Sequence, residues 1–494
     1  MKTERDAMAI RTPVQDFLQE HRRKKPISFH MPGHKGSKLY RESGYGEFLD
    51  NFMDCDITEI PGADNLFQAE SILREAQERY ARLYEVKKSY LQINGSSGAN
   101  IAAMLATVPK GRKIIMARNC HKSCFNALSL GDIRPVYAYP EMIEEYGISG
   151  AVPPEEIEKL LEENPEAEAV ILPSPNYYGI CSDIRRIAEI VHRHNKILIV
   201  DQAHGAHLKF FSRFGIKNMP PSAEESGADL IVNSIHKTLA SLTESALLNV
   251  NSDRVDLQLL EDRLQAIEST SPSYILMASL DINASIIAER GEELFRSWAE
   301  SLDYFYAKAD SIRGLGLIRN LPGLDRTKIN ISFGDLGIGG AELEQLLIKE
   351  YGIYIELFTG DLVMCMTGIG STGDDIRNLA EALEKISERN QESPDRVRKH
   401  KGHMNPEDRR RKYRPLPKAG LQDIPVTAKK VKLTEAEGLI CASSIIPYPP
   451  GIPLICPGES ITAEAIATIK EMRDLGEKVI GMNEKGEILV GDKS

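Results

Sequence analysis

One lysine, Lys237, lies in the stretch NSIHKTLASLTESALL, directly after the apolar segment ADLIV. Its neighbours Ser234 and His236 carry side chains that can donate hydrogen bonds to a phosphate. A lysine that forms a Schiff base must be neutral at working pH, and partial burial near a second cation lowers its pKa enough for that. A lone lysine after a strand is more often a surface residue, so this assignment depends on other groups in the chain.

A second group of donors precedes the helix-like segment ANIAAMLATV. The turn at 95–98 reads Gly-Ser-Ser-Gly, and its hydroxyls Ser96 and Ser97 stand where a helix would begin. Backbone N–H groups and the positive helix end favour a dianion at such a position. The turn alone is weak evidence, but together with Ser234 and His236 it indicates a phosphate site.

A carboxylate, Asp201, ends the strand-like segment KILIVD, and the chain continues QAHGAH. As a helix N-cap this residue would be structural. As the counter-ion of a pyridinium nitrogen it would keep that nitrogen protonated and the ring electron-accepting. The small Ala203 leaves room for a flat ring, and His121 in NCHKSC is suited to stack on one. Together with the lysine and the phosphate donors, this set fits pyridoxal 5′-phosphate.

Two clusters raise the alternative of a metal site. His204 and His207 are three residues apart, and Cys120, His121 and Cys124 lie within five residues of one another. Neither cluster has a further ligand at the spacing of a zinc site. The sequence therefore favours the cofactor interpretation, with no metal.

The elements that must position these residues alternate between strands and helices. KKSYLQI, RKIIMA, EAVILPSP, KILIVD and ADLIVNS are short apolar strands with helical patterns between them. This alternation predicts an α/β fold with a mainly parallel sheet, covered on both faces and binding ligands at the carboxyl ends of its strands. Ser96, His121, Asp201 and Lys237 all fall at such ends.

The character of the chain changes near residue 300. TKINISF, GIYIEL and DLVMCMT, together with two amphipathic helices, predict a smaller α+β unit, while residues 396–418 hold ten Lys or Arg against two acidic residues. We interpret that basic run as a solvated linker, with an anionic partner site as the minority alternative. The expected division is an N-terminal arm (1–50), a large cofactor domain (51–300), a small α+β domain (301–392), a basic linker (393–426) and a C-terminal domain (427–494).

The overall composition restricts the class of protein. The 494 residues exceed one ordinary core, and 42% hydrophobic and 27% charged residues are typical of globular proteins. A net charge of −11 argues against a general nucleic-acid binder. Seven scattered cysteines favour reduced thiols, and no apolar run approaches the roughly 18 residues of a membrane span. We expect a soluble, cytoplasmic, multidomain protein.

Several longer motifs resemble those of the Orn/Lys/Arg decarboxylase family, which are fold-type I pyridoxal-phosphate enzymes. They are FHMPGHKGS, DITEIPGADNLF, NGSSGAN, RNCHKS, VDQAHGAH, SIHKTLASLT, STSPSYILMASLD, DRTKINIS and YPPGIPLICPGE. The resemblance implies a large transferase-like cofactor domain, a small domain and a C-terminal domain, in a homodimer or higher even oligomer with shared active sites. The segment before FHMPGHKGS has no room for an N-terminal regulatory wing, so the chain resembles the short form.

The resemblance also implies a role for individual residues. Lys237 would be the Schiff-base lysine and Asp201 the partner of the pyridine nitrogen, with His121 on one face of the ring and Ala203 on the other. The remaining cofactor contacts implied within the chain are Ser96, Ser97, Gly98, His204, Ser234 and His236. The implied contact to the neighbouring subunit's phosphate is Ser271 or Ser273, and the candidates for the substrate's distal cation are Glu356 and Asp64.

The sequence departs from the family pattern at a few positions. Gln202 stands where similar enzymes usually have Glu, and Glu244 stands where Gln is common. Ser443 replaces a glutamate before the YPPG loop, a change that bears on substrate identity. Arg326 replaces a proline, which we interpret as structural.

These features predict decarboxylation of a basic amino acid, arginine or lysine ahead of ornithine, to its amine and CO₂ in polyamine metabolism. Another pyridoxal-phosphate reaction would use the same lysine and aspartate. The alternative from a different class is a non-catalytic paralogue that regulates an active decarboxylase. Ser443 favours that alternative, whereas retention of Lys237, Asp201 and His121 opposes it.

Overall fold

The computed structural model describes residues 12–390, 420–448, 451–474 and 478–492. The basic run expected to form a linker, 396–418, lies outside the described residues, as do the first eleven residues of the expected N-terminal arm. The strands are β1 (Ile27–Phe29), β2 (Lys88–Gln92), β3 (Lys113–Ala117), β4 (Arg134–Ala138), β5 (Met142–Ile143), β6 (Ile148–Ser149), β7 (Ala167–Pro173), β8 (Ile197–Asp201), β9 (Leu230–Asn233), β10 (Ala246–Val250), β11 (Gly316–Leu317), β12 (Lys328–Ser332), β13 (Ile353–Ile355), β14 (Leu357–Thr359), β15 (Leu362–Met366), β16 (Ala428–Lys432), β17 (Ile446–Tyr448), β18 (Lys478–Ile480) and β19 (Glu487–Gly491). The helices are α1 (Pro13–Arg23), α2 (Lys38–Glu42), α3 (Gly46–Asp50), α4 (Ile72–Tyr84), α5 (Gly95–Thr107), α6 (Lys122–Gly131), α7 (Pro154–Glu163), α8 (Ile184–Arg193), α9 (Leu208–Arg213), α10 (Ile235–Thr238), α11 (Leu257–Ile267), α12 (Tyr274–Ala309), α13 (Gly340–Tyr351), α14 (Gly373–Asn390) and α15 (Ala463–Asp474).

A seven-stranded sheet forms the centre of the molecule, in the order β2-β10-β9-β8-β7-β3-β4. Neighbouring strands are parallel except at β10, which runs antiparallel to both β2 and β9. The predicted α/β class with a mainly parallel sheet is confirmed. The sequence did not predict β10, because a short apolar run such as ALLNV is compatible with either a helix or a strand.

The three central strands of this sheet, β7, β8 and β9, are mostly buried and rich in aliphatic residues, as expected where helices cover both faces of a sheet. Residues 198–200 of β8 and 230–232 of β9 have no exposed surface. Asp201 is the last residue of β8, and the segment with Lys237 follows β9. Since β8 and β9 are hydrogen-bonded neighbours, their carboxyl ends bring these two residues to the same edge of the sheet.

A second, antiparallel sheet has the order β11-β12-β15-β14 and packs with α13 and α14. Helix α12 is 36 residues long and runs through residue 300. The change from the first sheet to the second, where the sequence placed a boundary, therefore falls within a continuous helix. The positions of the domain boundaries stay a prediction.

The two ends of the described chain return to this framework. β1 pairs in parallel with β13, so that Phe29 lies opposite Ile355. Residues 420–448, 451–474 and 478–492, which we call the C-terminal unit, hold the pairs β16-β19 and β17-β18 with α15 around a core of their own. In the described part of the chain, no helix combines the length and apolar character needed to cross a membrane.

Candidate active site

A cavity of about 480 Å³ opens at the carboxyl ends of β2, β3, β7, β8 and β9. The predicted site residues in its lining are Ser96, Ser97, His121, Asp201, Ala203, His204, His236, Lys237 and Glu356. Ser234 lies just behind the lining and donates a hydrogen bond from its Oγ to Ser96 Oγ at 2.7 Å. A second cavity of about 550 Å³ lies beside β2, between α4 and α11, and none of the predicted site residues lines it.

Lys237 projects from the single turn of α10, directly after β9. Its Nζ lies 3.0 Å from His204 Nε2 and 5.9 Å from the centre of the Tyr177 ring. Burial lowers the pKa of the Lys237 ammonium, against the opposing effect of the Asp201 and Glu356 charges. A lowered pKa makes the neutral, nucleophilic amine available near neutral pH.

The Asp201 carboxylate is held by two donors. Asn100 Nδ2 donates to its Oδ2 at 2.8 Å, and the Ala203 backbone N–H donates to its Oδ1 at 3.1 Å. Helix α9 begins only at Leu208, with His207 before it, so Asp201 is not the N-cap of that helix. Burial raises the pKa of this carboxyl group. Ionising a buried carboxyl group costs free energy, and a cationic ring nitrogen beside it would stabilise the charged form.

His121 is a neutral imidazole fixed at the start of α6. Its Nδ1 accepts a hydrogen bond from the Ser123 backbone N–H, and Ser123 Oγ lies 2.9 Å from the same nitrogen. Burial, together with the nearby Lys237 and Lys122 cations, lowers the pKa of His121 to about 3. The ring therefore stays uncharged at neutral pH, as a flat surface beside a cofactor ring requires.

The end of the cavity predicted to hold a phosphate combines hydroxyl groups with the start of a 13-residue helix, α5. Ser96 and Ser97 occupy its first turn, where backbone N–H groups have no partner within the helix. His236 departs from the expectation of a ready donor. Its Nδ1 lies 2.9 Å from the Ser245 carbonyl oxygen, and burial lowers its pKa to about 4. Only protonated His236 could give a second N–H to a phosphate, and a bound dianion would favour that protonation.

The motif FHMPGHKGS packs directly on the segment that carries Lys237. The Gly33 N–H donates to the His236 carbonyl at 2.7 Å, and Gly370 N–H donates to the Gly33 carbonyl at 3.0 Å. A Cβ on Gly33 would lie 2.4 Å from the carbonyl carbon of Thr238. Glycine is required here because two backbone segments touch, which explains part of a motif that has no chemistry of its own.

A fully buried ion cluster supports the site from the side of DRTKINIS. Lys328 Nζ lies 2.8 Å from Asp325 Oδ2, and His207 Nε2 lies 3.1 Å from the same oxygen, with no exposed surface on the three side chains. Lys328 also donates to the backbone carbonyl of His204. The cluster therefore fixes the backbone beside Lys237. Within the described ranges, no group of three or more His, Cys, Asp or Glu side chains is arranged to hold a metal ion.

The structure explains Gln202. Its Nε2 donates to Glu224 Oε2 and to Asn233 Oδ1, both at 2.9 Å, and its Oε1 accepts the Ala223 N–H at 2.6 Å. A glutamate at 202 would place a second buried carboxylate against Glu224. It would also leave Glu224 Oε2 and Asn233 Oδ1 without the donor that Gln202 supplies. The amide at 202 is thus matched to the buried carboxylate of Glu224.

Asp64 is not brought to the cavity. Its Oδ1 accepts the N–H groups of Asn65 and Glu70, and its Oδ2 accepts those of Ser71 and Leu73, all at 2.8–3.0 Å. These four bonds lower its pKa to about 2 although burial acts to raise it. The carboxylate is thus bound by its own loop in this chain, and the expected contact of Asp64 with the substrate stays a prediction.

Three other predicted residues also lie outside the cavity lining. Gly98 lies within α5, where a Cβ would come within 3.3 Å of Asn94 and Ile267 side-chain atoms. Ser273 caps α12, and Ser271 is exposed. A contact from either serine to a neighbouring subunit stays a prediction.

Glu356 is the predicted substrate group that does line the cavity. Its Oε2 accepts the Met31 backbone N–H at 2.9 Å. Lys35 lies near it, and burial lowers the pKa of Lys35 to about 7, an effect that Glu356 opposes. Glu244 is exposed at the edge of the cavity, whereas Ser443 is not part of the lining.

The sequence did not identify several residues around the cavity. Asn100 is a fully buried polar residue within the otherwise apolar stretch ANIAAMLA of α5, and that contrast was a usable signal. Tyr177 has its ring centre 4.6 Å from that of His204. The C-terminal unit supplies Ile446, Gly451 and Ile480 to the lining, a contribution that no local pattern reveals.

Comparisons with known proteins agree with this geometry. A family model of the Orn/Lys/Arg decarboxylase major domain matches residues 12–315, and one of the C-terminal domain matches residues 415–485. The chain is 31% identical to an arginine decarboxylase of Bacillus subtilis over 480 residues, with 95% of each chain covered. It is 23% identical to the lysine decarboxylase LdcA of Pseudomonas aeruginosa, over 90% of this chain and 73% of that protein.

Solved structures show the same fold. The crystal structure of the Francisella novicida lysine decarboxylase LdcF superimposes with a TM-score of 0.71 at 21% identity, over 98% of this chain and 84% of that one. Lysine decarboxylase A from Pseudomonas aeruginosa gives a TM-score of 0.72 at 21% identity, over 97% of this chain and 80% of that one.

Proposed function

Because the chain belongs to the Orn/Lys/Arg decarboxylase family, we propose that it removes the α-carboxyl group of a basic amino acid as CO₂, with pyridoxal 5′-phosphate as cofactor. The observation that carries the proposal is a single cavity that holds a lysine of lowered pKa, a buried carboxylate and the start of a helix flanked by hydroxyls. When bound, the cofactor supplies an aldehyde for covalent attachment and a ring that accepts electrons.

Each residue has a part in holding that cofactor. Lys237 provides the amine for attachment, and Asp201 keeps a proton on the ring nitrogen, with its own orientation set by Asn100. The first turn of α5 and Ser234 would bind the phosphate, because the first N–H groups of a helix have no partner within it and the Ser234 hydroxyl lies 2.7 Å from that of Ser96. The neutral His121 and the small Ala203 leave space for a flat ring.

Lys237 also holds the proton that the reaction returns to the α-carbon. His204 Nε2, at 3.0 Å, fixes the direction of the Lys237 amine. The His204 backbone is in turn fixed by Lys328. A donor held within hydrogen-bond distance by packed side chains is what efficient proton transfer requires.

The substrate end of the cavity combines one charge with apolar walls. Glu356 supplies the charge for the distal cation, whereas Leu357, Ile446 and Ile480 supply apolar surface for the methylene chain. Arginine is the first substrate to test, because the relative from Bacillus subtilis is an arginine decarboxylase. The products would be the amine and CO₂, and the amine is of the class that feeds polyamine synthesis.

The proposal includes the assembly and its location. Four apolar side chains that precede the motif GADNLF are exposed by 38–78%, namely Phe52, Met53, Ile57 and Ile60. Such a cluster is suited to burial against a second copy of the chain. We place a homodimer or higher even oligomer in the cytoplasm, with Ser271 or Ser273 reaching the partner's phosphate, and keep the division into arm, large, small and C-terminal domains given above.

Lys237→Ala tests the chemistry. Purified wild type and variant are given pyridoxal 5′-phosphate and then arginine, lysine or ornithine, and absorption, CO₂ and amine are measured. The wild type should develop a visible band and release CO₂ and amine in equal amounts, whereas the variant should do neither. Lys217→Ala, at an exposed lysine outside the cavity, is the matched control and should behave as wild type. A wild type that binds the cofactor but releases no CO₂ from any of the three would refute the proposal.

A further inference from the structure

Two motifs, RNCHKS and YPPGIPLICPGE, meet in a buried ion pair between Arg118 and Glu459, two residues that do not line the cavity. Arg118 has no exposed surface, and Glu459 is 1% exposed. Arg118 Nε donates to Glu459 Oε1 at 2.9 Å, and its Nη2 donates to Oε2 at 3.0 Å. This two-bond geometry is the strongest form of an arginine–carboxylate contact.

The backbone of the C-terminal unit wraps the guanidinium. Arg118 donates to the carbonyl oxygens of Pro453 at 2.7 Å and Leu454 at 3.0 Å, and Glu459 Oε2 accepts the Cys456 N–H at 2.8 Å. The rings of Phe125 and Tyr137 each lie 5.4 Å from the guanidinium carbon. Both charges are fully partnered only while the C-terminal unit is docked, because separation would leave a buried charge without its partner.

The pair connects the two sides of the cavity. Arg118 directly follows β3 and lies three residues before His121, which lines the cavity on the cofactor side. On the other side, β17 and β18 hold Ile446 opposite Ile480, and both line the cavity together with Gly451. The segment from 451 to 459 runs from this lining to the carboxylate that binds Arg118.

We infer that Arg118 and Glu459 are positioning residues, which dock the C-terminal unit so that Ile446, Gly451 and Ile480 form the roof over the substrate end of the cavity. Neither residue contacts the reacting groups. They affect catalysis only by holding the apolar roof in place, and the roof contacts the methylene chain of a basic amino acid. This kinetic part rests on the proposed function, whereas the docking itself does not.

Native thiols report the docking directly. Cys456 belongs to the C-terminal unit but packs into the core of the large sheet, whereas Cys441 lies in the core of the C-terminal unit and Cys120 in that of the large sheet. In a Cys55→Ser background, which removes the exposed thiol, Glu459→Gln should speed labelling of Cys456 by a thiol reagent about tenfold or more. The other two thiols should remain protected.

Two outcomes of the labelling experiment overturn the inference. Unchanged labelling at Cys456 would mean that the pair does not hold the unit in place. Equal acceleration at Cys120 would mean general loss of structure rather than loss of docking. Arg118→Lys, which keeps the charge and loses the two-bond geometry, is the second variant and should label in the same pattern.

Steady-state kinetics test the link to substrate. Glu459→Gln should raise KM about tenfold and leave kcat within about twofold, with an unchanged visible band, because the lost contact holds substrate and not the reacting groups. Glu168→Gln breaks an exposed Arg112–Glu168 pair of 2.7 Å at the other end of β3, and it should leave KM unchanged. A fall in kcat at constant KM in Glu459→Gln would overturn the positioning role.

The proposed function and this inference can fail separately. Absence of turnover by the wild type refutes the former. In that case the Kd of arginine, measured by calorimetry, replaces KM as the readout. A roughly tenfold rise of this Kd in Glu459→Gln supports the inference that the pair positions the roof. An unchanged Kd refutes it.

Discussion

The Asp64→Asn substitution tests the assignment of this carboxylate to its own loop. Four backbone N–H groups bind its two oxygens, two to each. An asparagine keeps one acceptor oxygen and turns an NH₂ group toward the other two donors. Two backbone N–H groups of a tight loop would then have no partner, which destabilises the loop without touching the cavity.

The size of the effect follows from the proton affinity of the group. The pKa of Asp64 is about 2, against 3.8 for an ordinary aspartate, which corresponds to about 2 kcal/mol of stabilisation of the charged form. Because the pKa is lower in the folded chain, this contribution is complete above about pH 4 and is lost as the pH falls through about 2. The difference between variant and wild type should therefore be constant from about pH 5 to 8.

Amide hydrogen exchange at pH 7 measures the loss of stability within the loop that binds Asp64. The amides of residues 65, 70, 71 and 73 should exchange roughly 30-fold faster in Asp64→Asn, the factor that corresponds to about 2 kcal/mol. KM for the amino acid should not change. Asp50→Asn, at an exposed carboxylate paired with Arg41, is the control and should leave these amides protected. Unchanged exchange together with a raised KM would show that Asp64 binds substrate after all.

Three further substitutions test the packing around the reactive lysine. Gly33→Ala places a Cβ 2.4 Å from a backbone carbon at the end of α10, so α10 must move by about 1 Å and kcat should fall about 100-fold. Gln202→Glu sets a second buried carboxyl group against Glu224, and this burial should raise the pKa of the introduced glutamate. The melting temperature should therefore fall below that of wild type by more at pH 8 than at pH 5, because the introduced acid must ionise inside the fold as the pH rises. Lys328→Met leaves Asp325 without its ammonium partner and should cost about 3–5 kcal/mol in denaturant unfolding.

The Gly33→Ala and Lys328→Met variants each have a matched control. Gly46→Ala, whose new Cβ would meet only a flexible arginine tip at 3.4 Å, should keep full kcat. Lys308→Met removes a partly exposed partner of Glu384 and should cost less than about 1 kcal/mol. Wild-type kcat in Gly33→Ala, a pH-independent melting difference in Gln202→Glu, or equal losses in the two lysine variants would contradict the packing described here.

The sequence was sufficient for the fold class and for the groups at the strand ends. Short apolar runs such as KILIVD that alternate with helical patterns predict buried parallel strands. Parallel strands bring their carboxyl ends to the same edge of the sheet. Asp201 and Lys237 could therefore be placed together before any contact was known.

The residues that the sequence missed depend on contacts between distant segments. Asn100 meets Asp201 across about 100 positions, and Lys328 reaches the His204 backbone from a different sheet. The four hydrogen bonds of Asp64 were missed because they depend on the path of its own loop, which no residue type encodes. For the same reason the continuous helix α12 was not expected to run through residue 300.

The pairing of β1 with β13 sets the order in which the enzyme can be completed during its synthesis. Phe29 cannot pair with Ile355 until Ile355 has been synthesised. At roughly 10 residues per second, Ile355 emerges from the ribosome about half a minute after Phe29. Until then the segment with Gly33 has no strand to hold it against α10. The residues of the C-terminal unit that line the cavity, up to Ile480, arrive later still. A nascent chain therefore contains Lys237 early, but the cavity around this lysine is complete only near the end of translation.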